Sequence, residues 1–265
     1  MSEPELVKLV RHDDHVAEIV LDRPQALNAV STALALRLTA VTAEVARSPW
    51  VRAVVLSSAV PRAFCVGADL KERAGLRDDE LRAQRPITRG AYRSVLDLPV
   101  PVVAAVHGFA LGGGFELALA CDLVVADTTA VLGLPEVSVG IVPGGGGTQL
   151  LARRIGRARA ADLVLTGRRL DVEEALALGC VDRLVPEGED VVAALALAAA
   201  IAQNSPLAVR EARSAMRRGL DVPLDAGLAI EDDAWHVVAF SSTDRAEGVR
   251  AFAQGRRPVW QDAPS

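Results

Sequence analysis

The sequence predicts an α/β core followed by a helical C-terminal part. Short runs rich in Val, Ile and Leu alternate with helix-like segments through the first 190 residues. From about Val191 the strand signals stop, and the remaining chain reads as helical almost throughout. The chain has 265 residues, enough for a large core in one or two domains. These observations divide it into 1–190, the α/β core, and 191–265, a helical region.

The elements follow in order. Residues 16–21 form the first strand candidate and residues 32–47 the first helix. A strand at 53–58 and a helix at 79–96 come next, then a strand at 101–106, a helix at 113–120 and a strand at 123–126. Two helices, 148–155 and 158–165, lead to Asp171 and Glu174. Their spacing is that of a capping box opening a short helix that ends near Gly179. A strand at 181–185 closes the core. In the helical region, Ser205–Pro206 and Pro223 mark breaks. No solenoid repeat or low-complexity tract is present.

Composition narrows the function. Half the residues are hydrophobic, at 51%, but charges interrupt the apolar stretches, so no run of 18 or more suggests a membrane span. The opening "MSEPELVKLVRHDD" lacks the apolar core of a secretory signal. Cys65, Cys121 and Cys180 lie far apart, which argues against a disulfide framework or a zinc site and for a reducing, cytoplasmic setting. A net charge of −5 gives no electrostatic reason to expect nucleic acid.

Three stretches carry chemistry. In "GFALGGGFELALAC" (108–121), three glycines follow a strand-like run and open an apolar helix, with Glu116 at the junction. A helix start leaves backbone N–H groups free and carries partial positive charge, so it can hold a developing oxyanion. A tight turn that needs glycine for steric reasons explains the same residues equally well. Neither glycine run is a phosphate loop, because GxGxxG and the Walker A ending are both missing. The second stretch is "RAFCVGADLKER" (62–73), which follows the strand at 53–58. The third is "GLPEVSVGIVPGGGGTQLL" (133–151), which places Glu136 among apolar residues ahead of four glycines. Glu116 and Glu136 form a candidate acid/base pair, since burial raises a carboxyl and lets one hold a proton while the other is ionised. Sequence alone does not bring them together, and an exposed or capping glutamate is the commoner fate.

These motifs, in this order and spacing, resemble the crotonase (enoyl-CoA hydratase/isomerase) superfamily. The resemblance runs from "LDRPQALNAVS" (21–31) through "LTGRRLDVEEALALGCVDRLVP" to "DRAEGVRAFAQGRRPVW". It implies a crotonase-like spiral of ββα units with two roughly perpendicular sheets. It also implies that the helical region mediates homotrimers, usually paired into hexamers. The oxyanion hole falls on the backbone amides of Ala68 and Gly113, the catalytic glutamates on Glu116 and Glu136, and a water contact on the Gly144 amide. Ala26, Leu27, Ala68, Asp69, Leu70 and Lys71 fall on the walls of the acyl-CoA groove. No metal or redox cofactor is implied, since coenzyme A arrives as part of the substrate. Retention of both glutamates implies syn addition of water to a 2,3-trans-enoyl-CoA, giving a 3-hydroxyacyl-CoA in fatty-acid or branched-chain amino-acid catabolism. The alternatives are a methylglutaconyl-CoA hydratase, whose group the motifs resemble closely, and an enoyl-CoA isomerase.

Other residues take plainer readings. His107 and Cys65 are expected to be structural. The stretch "RAGLRDDELRAQRPITRGAYRSVLDL" is expected to wall the acyl pocket, its arginines meeting either a substrate carboxylate or solvent. Gly255 stands where relatives often carry a basic contact to the CoA phosphates, leaving Arg256 or Arg257 as replacements. His236 stands where they commonly have an aromatic. The reading from a different class is an RNA-binding relative. It is disfavoured because the helix at 32–47 has no lysine row to neutralise phosphates. A non-catalytic acyl-CoA-binding protein is disfavoured by the two glutamates.

Overall fold

A computed structural model describes residues 5–261. The chain runs β1 (Val7–Arg11), β2 (Val16–Leu21), α1 (Thr32–Ala46), β3 (Ala53–Ser58), β4 (Ala63–Cys65), α2 (Leu70–Ala74), α3 (Asp78–Leu96) and β5 (Val102–Val106). It continues with β6 (Phe109–Leu111), α4 (Gly113–Ala120), β7 (Leu123–Asp127), β8 (Val131–Gly133), α5 (Gly147–Ile155) and α6 (Arg157–Thr166). Then come β9 (Arg169–Asp171), α7 (Val172–Leu178), β10 (Arg183–Val185), α8 (Asp190–Ala202), α9 (Pro206–Gly219), α10 (Leu224–Ser241) and α11 (Asp244–Ala253).

Two sheets result. The larger has the order β1-β2-β3-β5-β7-β10, and the smaller β4-β6-β8-β9. Three successive strand pairs, β3–β4, β5–β6 and β7–β8, each place their first strand in the large sheet and their second in the small one. Each pair stacks parallel on the one before, with Val54 opposite Val102 and Val103 opposite Leu123 in one sheet. In the other, Phe109 lies opposite both Ala63 and Val131. This is the repeated spiral that the resemblance implies. Antiparallel pairs close it at the edges, β1 with β2 and β8 with β9.

The long apolar strands follow from burial on both faces. Along β3, Val54 and Leu56 face the main core, while Ala53 and Val55 face α8 through Ala194, Leu197 and Ala198. Such strands read as continuous hydrophobic runs, not alternations. The composition change at Val191 therefore falls inside α8, a helix that covers the back of the large sheet. The helices that extend beyond this layer begin with α9. Arg213 of α9 ties them back, bonding Asp122 at 2.7 and 2.8 Å and the Leu98 carbonyl at 2.6 Å.

The capping-box expectation is met by half. Asp171 caps α7 by accepting the Glu174 N–H at 2.8 Å. The Glu174 carboxylate does not reach back; Arg168 takes it in a two-pronged pair at 2.7 and 2.9 Å. Charge pairing outcompetes a neutral backbone donor. Among the described residues, no single helix is long and apolar enough to cross a membrane.

Candidate active site

The spiral brings its strand-to-helix turns to one side, and the three motif stretches meet there. Ala68, Leu70, Gly113, Glu116, Glu136 and Gly144 all line one cavity of about 820 Å³. Ala26, Leu27, Asp69 and Lys71 do not line it; they stand on the adjoining loops.

Those loops are pinned from within. Leu27 and Asn28 both adopt positive φ, 49° and 58°. Asn28 is fully buried, and its side chain explains why the conformation holds. Its oxygen accepts the Arg23 N–H at 2.7 Å, and its nitrogen donates to Ser58 Oγ at 2.8 Å and the Phe64 carbonyl at 2.9 Å. Leu27 in turn accepts from the Val66 N–H at 3.2 Å, and Val30 bridges to Ala68. Asp69 turns inward. Burial alone would raise its carboxyl, but the Glu72 N–H, Arg23 and the Lys71 N–H hold it below the usual range. It caps α2 at 3.0–3.1 Å and pairs with Arg23 at 2.6 Å. Asp69 thus fixes the loop carrying Ala68, while Lys71 is exposed.

The amides of Ala68 and Gly113 enter none of the turn, loop or cap hydrogen bonds around them. Gly113 is the first residue of α4, so its N–H has no intrahelical acceptor. Two close approaches set this geometry. Gly67 has φ +89°, and a Cβ there would lie 2.9 Å from the Gly113 nitrogen. A Cβ on Gly113 would lie 2.1 Å from the Tyr92 hydroxyl. Glycine at 113 is therefore required by a neighbour from α3. Tyr92, the one tyrosine in the chain, is buried with its ring beside Gly145 and its hydroxyl facing the cavity. Sequence reasoning missed it, since nothing in a helical run flags one aromatic as site-facing. Burial, then the neighbouring Cys65 and Glu116, push its phenol well above the usual range, so it stays a donor.

The two glutamates occupy different environments. Glu116 is buried, and its Oε1 accepts the Gly145 N–H at 2.6 Å and the Gly147 N–H at 2.8 Å. Burial raises its carboxyl, opposed by those amides and by Arg85. Glu136 sits on a 3-10 turn, Pro135–Val139, and its Oε2 is buried without a hydrogen-bond partner. Burial pushes it from 4.5 up to about 7, with the Glu116 charge adding to the effect. Amide donors favour an ionised Glu116, and an orphaned oxygen favours a neutral Glu136. The arrangement presents two carboxyl groups in unlike surroundings and two free amides to one cavity.

The remaining residues are supporting. His107 bonds Asp190 at 2.8 Å and the Val60 carbonyl at 2.9 Å, clamping α8 to the core. The Cys65 thiol is buried and pushed up to about 12, so it is no nucleophile at neutral pH. Arg256 is held by Glu247 at 2.7 and 3.0 Å, while Arg257 beside it is exposed. His236 is exposed beside Trp235.

Comparison with known proteins bears on the family and the fold. Residues 11–263 match the family described as enoyl-CoA hydratase/isomerase. A crystal structure of enoyl-CoA hydratase from Bacillus anthracis is similar with a TM-score of 0.94 and 40% identity, over 97% of this chain and 100% of that one. Human mitochondrial enoyl-CoA hydratase domain-containing protein 2 is 41% identical over 97% of this chain and 89% of its own. Rat mitochondrial methylglutaconyl-CoA hydratase is 43% identical over 80% of this chain and 68% of its own.

Proposed function

The chain belongs to the enoyl-CoA hydratase/isomerase family, within the crotonase superfamily, and on that premise we propose that it is an enoyl-CoA hydratase. The observation that carries this reading is the pair of glutamates on one cavity in unlike surroundings, Glu116 bonded by two amides and Glu136 with a buried oxygen that has no partner. Glu116, ionised and fixed by two amides, takes a proton from water as its oxygen bonds to C3 of the enoyl thioester. Glu136, protonated, gives its proton to C2. Between these events the C2–C3 π electrons move toward the thioester carbonyl. The amides of Ala68 and Gly113 receive that charge on the carbonyl oxygen, already oriented and without rearrangement. Water and thioester combine to a 3-hydroxyacyl-CoA, and proton exchange with solvent resets the two carboxyls. An isomerase needs one group to move a proton, and the second prepared carboxyl favours hydration.

The remaining parts of the proposal rest on surface chemistry. Coenzyme A enters as part of the substrate, with no separate cofactor. Exposed apolar residues on the outer helices, Leu220, Leu224, Trp235 and Phe240 among them, suit a homotrimer or a dimer of trimers. Nucleic acid is no partner in this reading, because α1 carries only Arg37 as a basic residue, and Glu5 engages it. Three free, buried cysteines suit a reducing cytoplasm. The test is hydration of crotonyl-CoA by Glu116→Gln and Glu136→Gln. Each is expected to lose about 10²–10⁴-fold in kcat with its fold intact. A folded double variant that retains the wild-type rate would reject the assignment.

A further inference from the structure

The cavity wall carries more positive charge than an aliphatic acyl chain requires. Arg73 from α2, Arg82 and Arg85 from α3, and Arg169 from β9 all line it, beside apolar Leu81 and Ile141. The only acids on the cavity wall are Glu116 and Glu136, which the hydration step uses. The chain as a whole is net negative, so this excess is local.

An arginine facing water needs no ligand, so the partners of these four decide the matter. Elsewhere arginines meet carboxylates, as Arg23 meets Asp69, Arg168 meets Glu174 and Arg213 meets Asp122. None of the four cavity arginines has an ion-pair partner among the described residues. Arg169 lies over the Phe109 ring at 5.9 Å. Arg85 gives one N–H to the Gly144 carbonyl at 2.7 Å and keeps its other donors. Arg73 has no ion-pair partner among the described residues, and because its Nε is buried, its terminal N–H groups are the donors it can offer to the cavity. A guanidinium is a forked donor that fits a carboxylate with two parallel bonds.

We infer that this cavity takes an enoyl-CoA whose acyl chain ends in a carboxylate, received by the guanidinium groups of Arg73, Arg82 and Arg85. The inference rests on the hydratase reading for the placement of the thioester at Ala68 and Gly113. It also has a rival within the same substrate, since the phosphates of coenzyme A are anions too.

Calorimetric titration with two saturated thioesters separates these cases without any turnover. Butyryl-CoA and glutaryl-CoA share the nucleotide and differ by one terminal carboxylate. Glutaryl-CoA is expected to bind about 10–100-fold more tightly to the wild-type protein. In Arg73→Met and Arg82→Met the preference should fall by tenfold or more. Arg82 is exposed and unpaired, so its replacement leaves no buried charge behind. A wild-type preference near one overturns the inference. So does an equal loss for both ligands in the variants, which would assign these arginines to the coenzyme A phosphates. A protein that keeps the glutaryl preference yet hydrates neither corresponding enoyl thioester would retain this recognition and lose the hydratase reading. One that hydrates crotonyl-CoA with no preference would do the reverse.

Discussion

Glu136→Gln should make the protein more resistant to unfolding at pH 8 even as it slows hydration by orders of magnitude. In the folded chain the Glu136 carboxyl is pushed from 4.5 to about 7, chiefly by burial. In the unfolded chain it titrates near its ordinary value. Below about pH 4.5 both states hold the proton, and the site contributes no penalty. As pH rises toward 7 the unfolded chain releases its proton while the folded chain keeps it, so stability falls. Above 7 the loss levels off. Each tenfold step is worth about 1.4 kcal/mol, so the plateau is roughly 3 kcal/mol, with about 0.8 kcal/mol already lost at pH 5. Glutamine cannot ionise, so the variant escapes this fall. Urea unfolding of both proteins at pH 5 and pH 8, at one protein concentration, gives the comparison. The variant's advantage should grow by about 2 kcal/mol between the two pH values. Parallel stabilities at pH 5 and pH 8 would refute the idea that the protonated state of Glu136 is imposed by the fold.

Gly113→Ala places a methyl group 2.1 Å from the Tyr92 hydroxyl. The α4 start must shift, so hydration should drop about 10²-fold by enzyme kinetics while the circular dichroism spectrum holds; Tyr92→Leu in the same chain, which clears the space, should recover part of the rate. The exposed apolar face of the outer helices predicts trimers or hexamers by light scattering at micromolar concentration, and a monomer would contradict it.

The sequence exposes strands and helices unevenly, for a physical reason. β2 and β3 are buried on both faces over six residues each, and their limits match those of the apolar runs. The strands of the small sheet went unrecognised because β4, β6, β8 and β9 have three residues each. Three residues carry no period, and glycine or arginine interrupts two of them. β1 was missed because only Val7 of its five residues is buried, so an edge strand there looks like a charged tail. Helices were easier, since α3 and α4 present long patterns whose starts are marked by charge or glycine.

The active site divides along similar lines. Glycines and glutamates in short motifs are visible because the backbone they shape is local. What assembles them is not local. Tyr92 comes from α3, 21 positions before the glycine it constrains, and no motif announces it. The same holds for the arginines of the acyl wall. The stretch holding Arg73, Arg82 and Arg85 is expected from sequence to wall the acyl pocket, with carboxylate and solvent both open as partners, while Arg169 carries no such expectation. Only folding shows that they line one cavity without ion-pair partners among the described residues. The motif residues carry the proposed thioester activation, because the amides of Ala68 and Gly113 and the carboxyls of Glu116 and Glu136 all belong to short local motifs. In the inferred carboxylate recognition, the groups that would choose among thioesters come from α2 and α3, and what singles them out is the absence of an ion-pair partner in the assembled cavity, a property their spacing in the sequence does not carry.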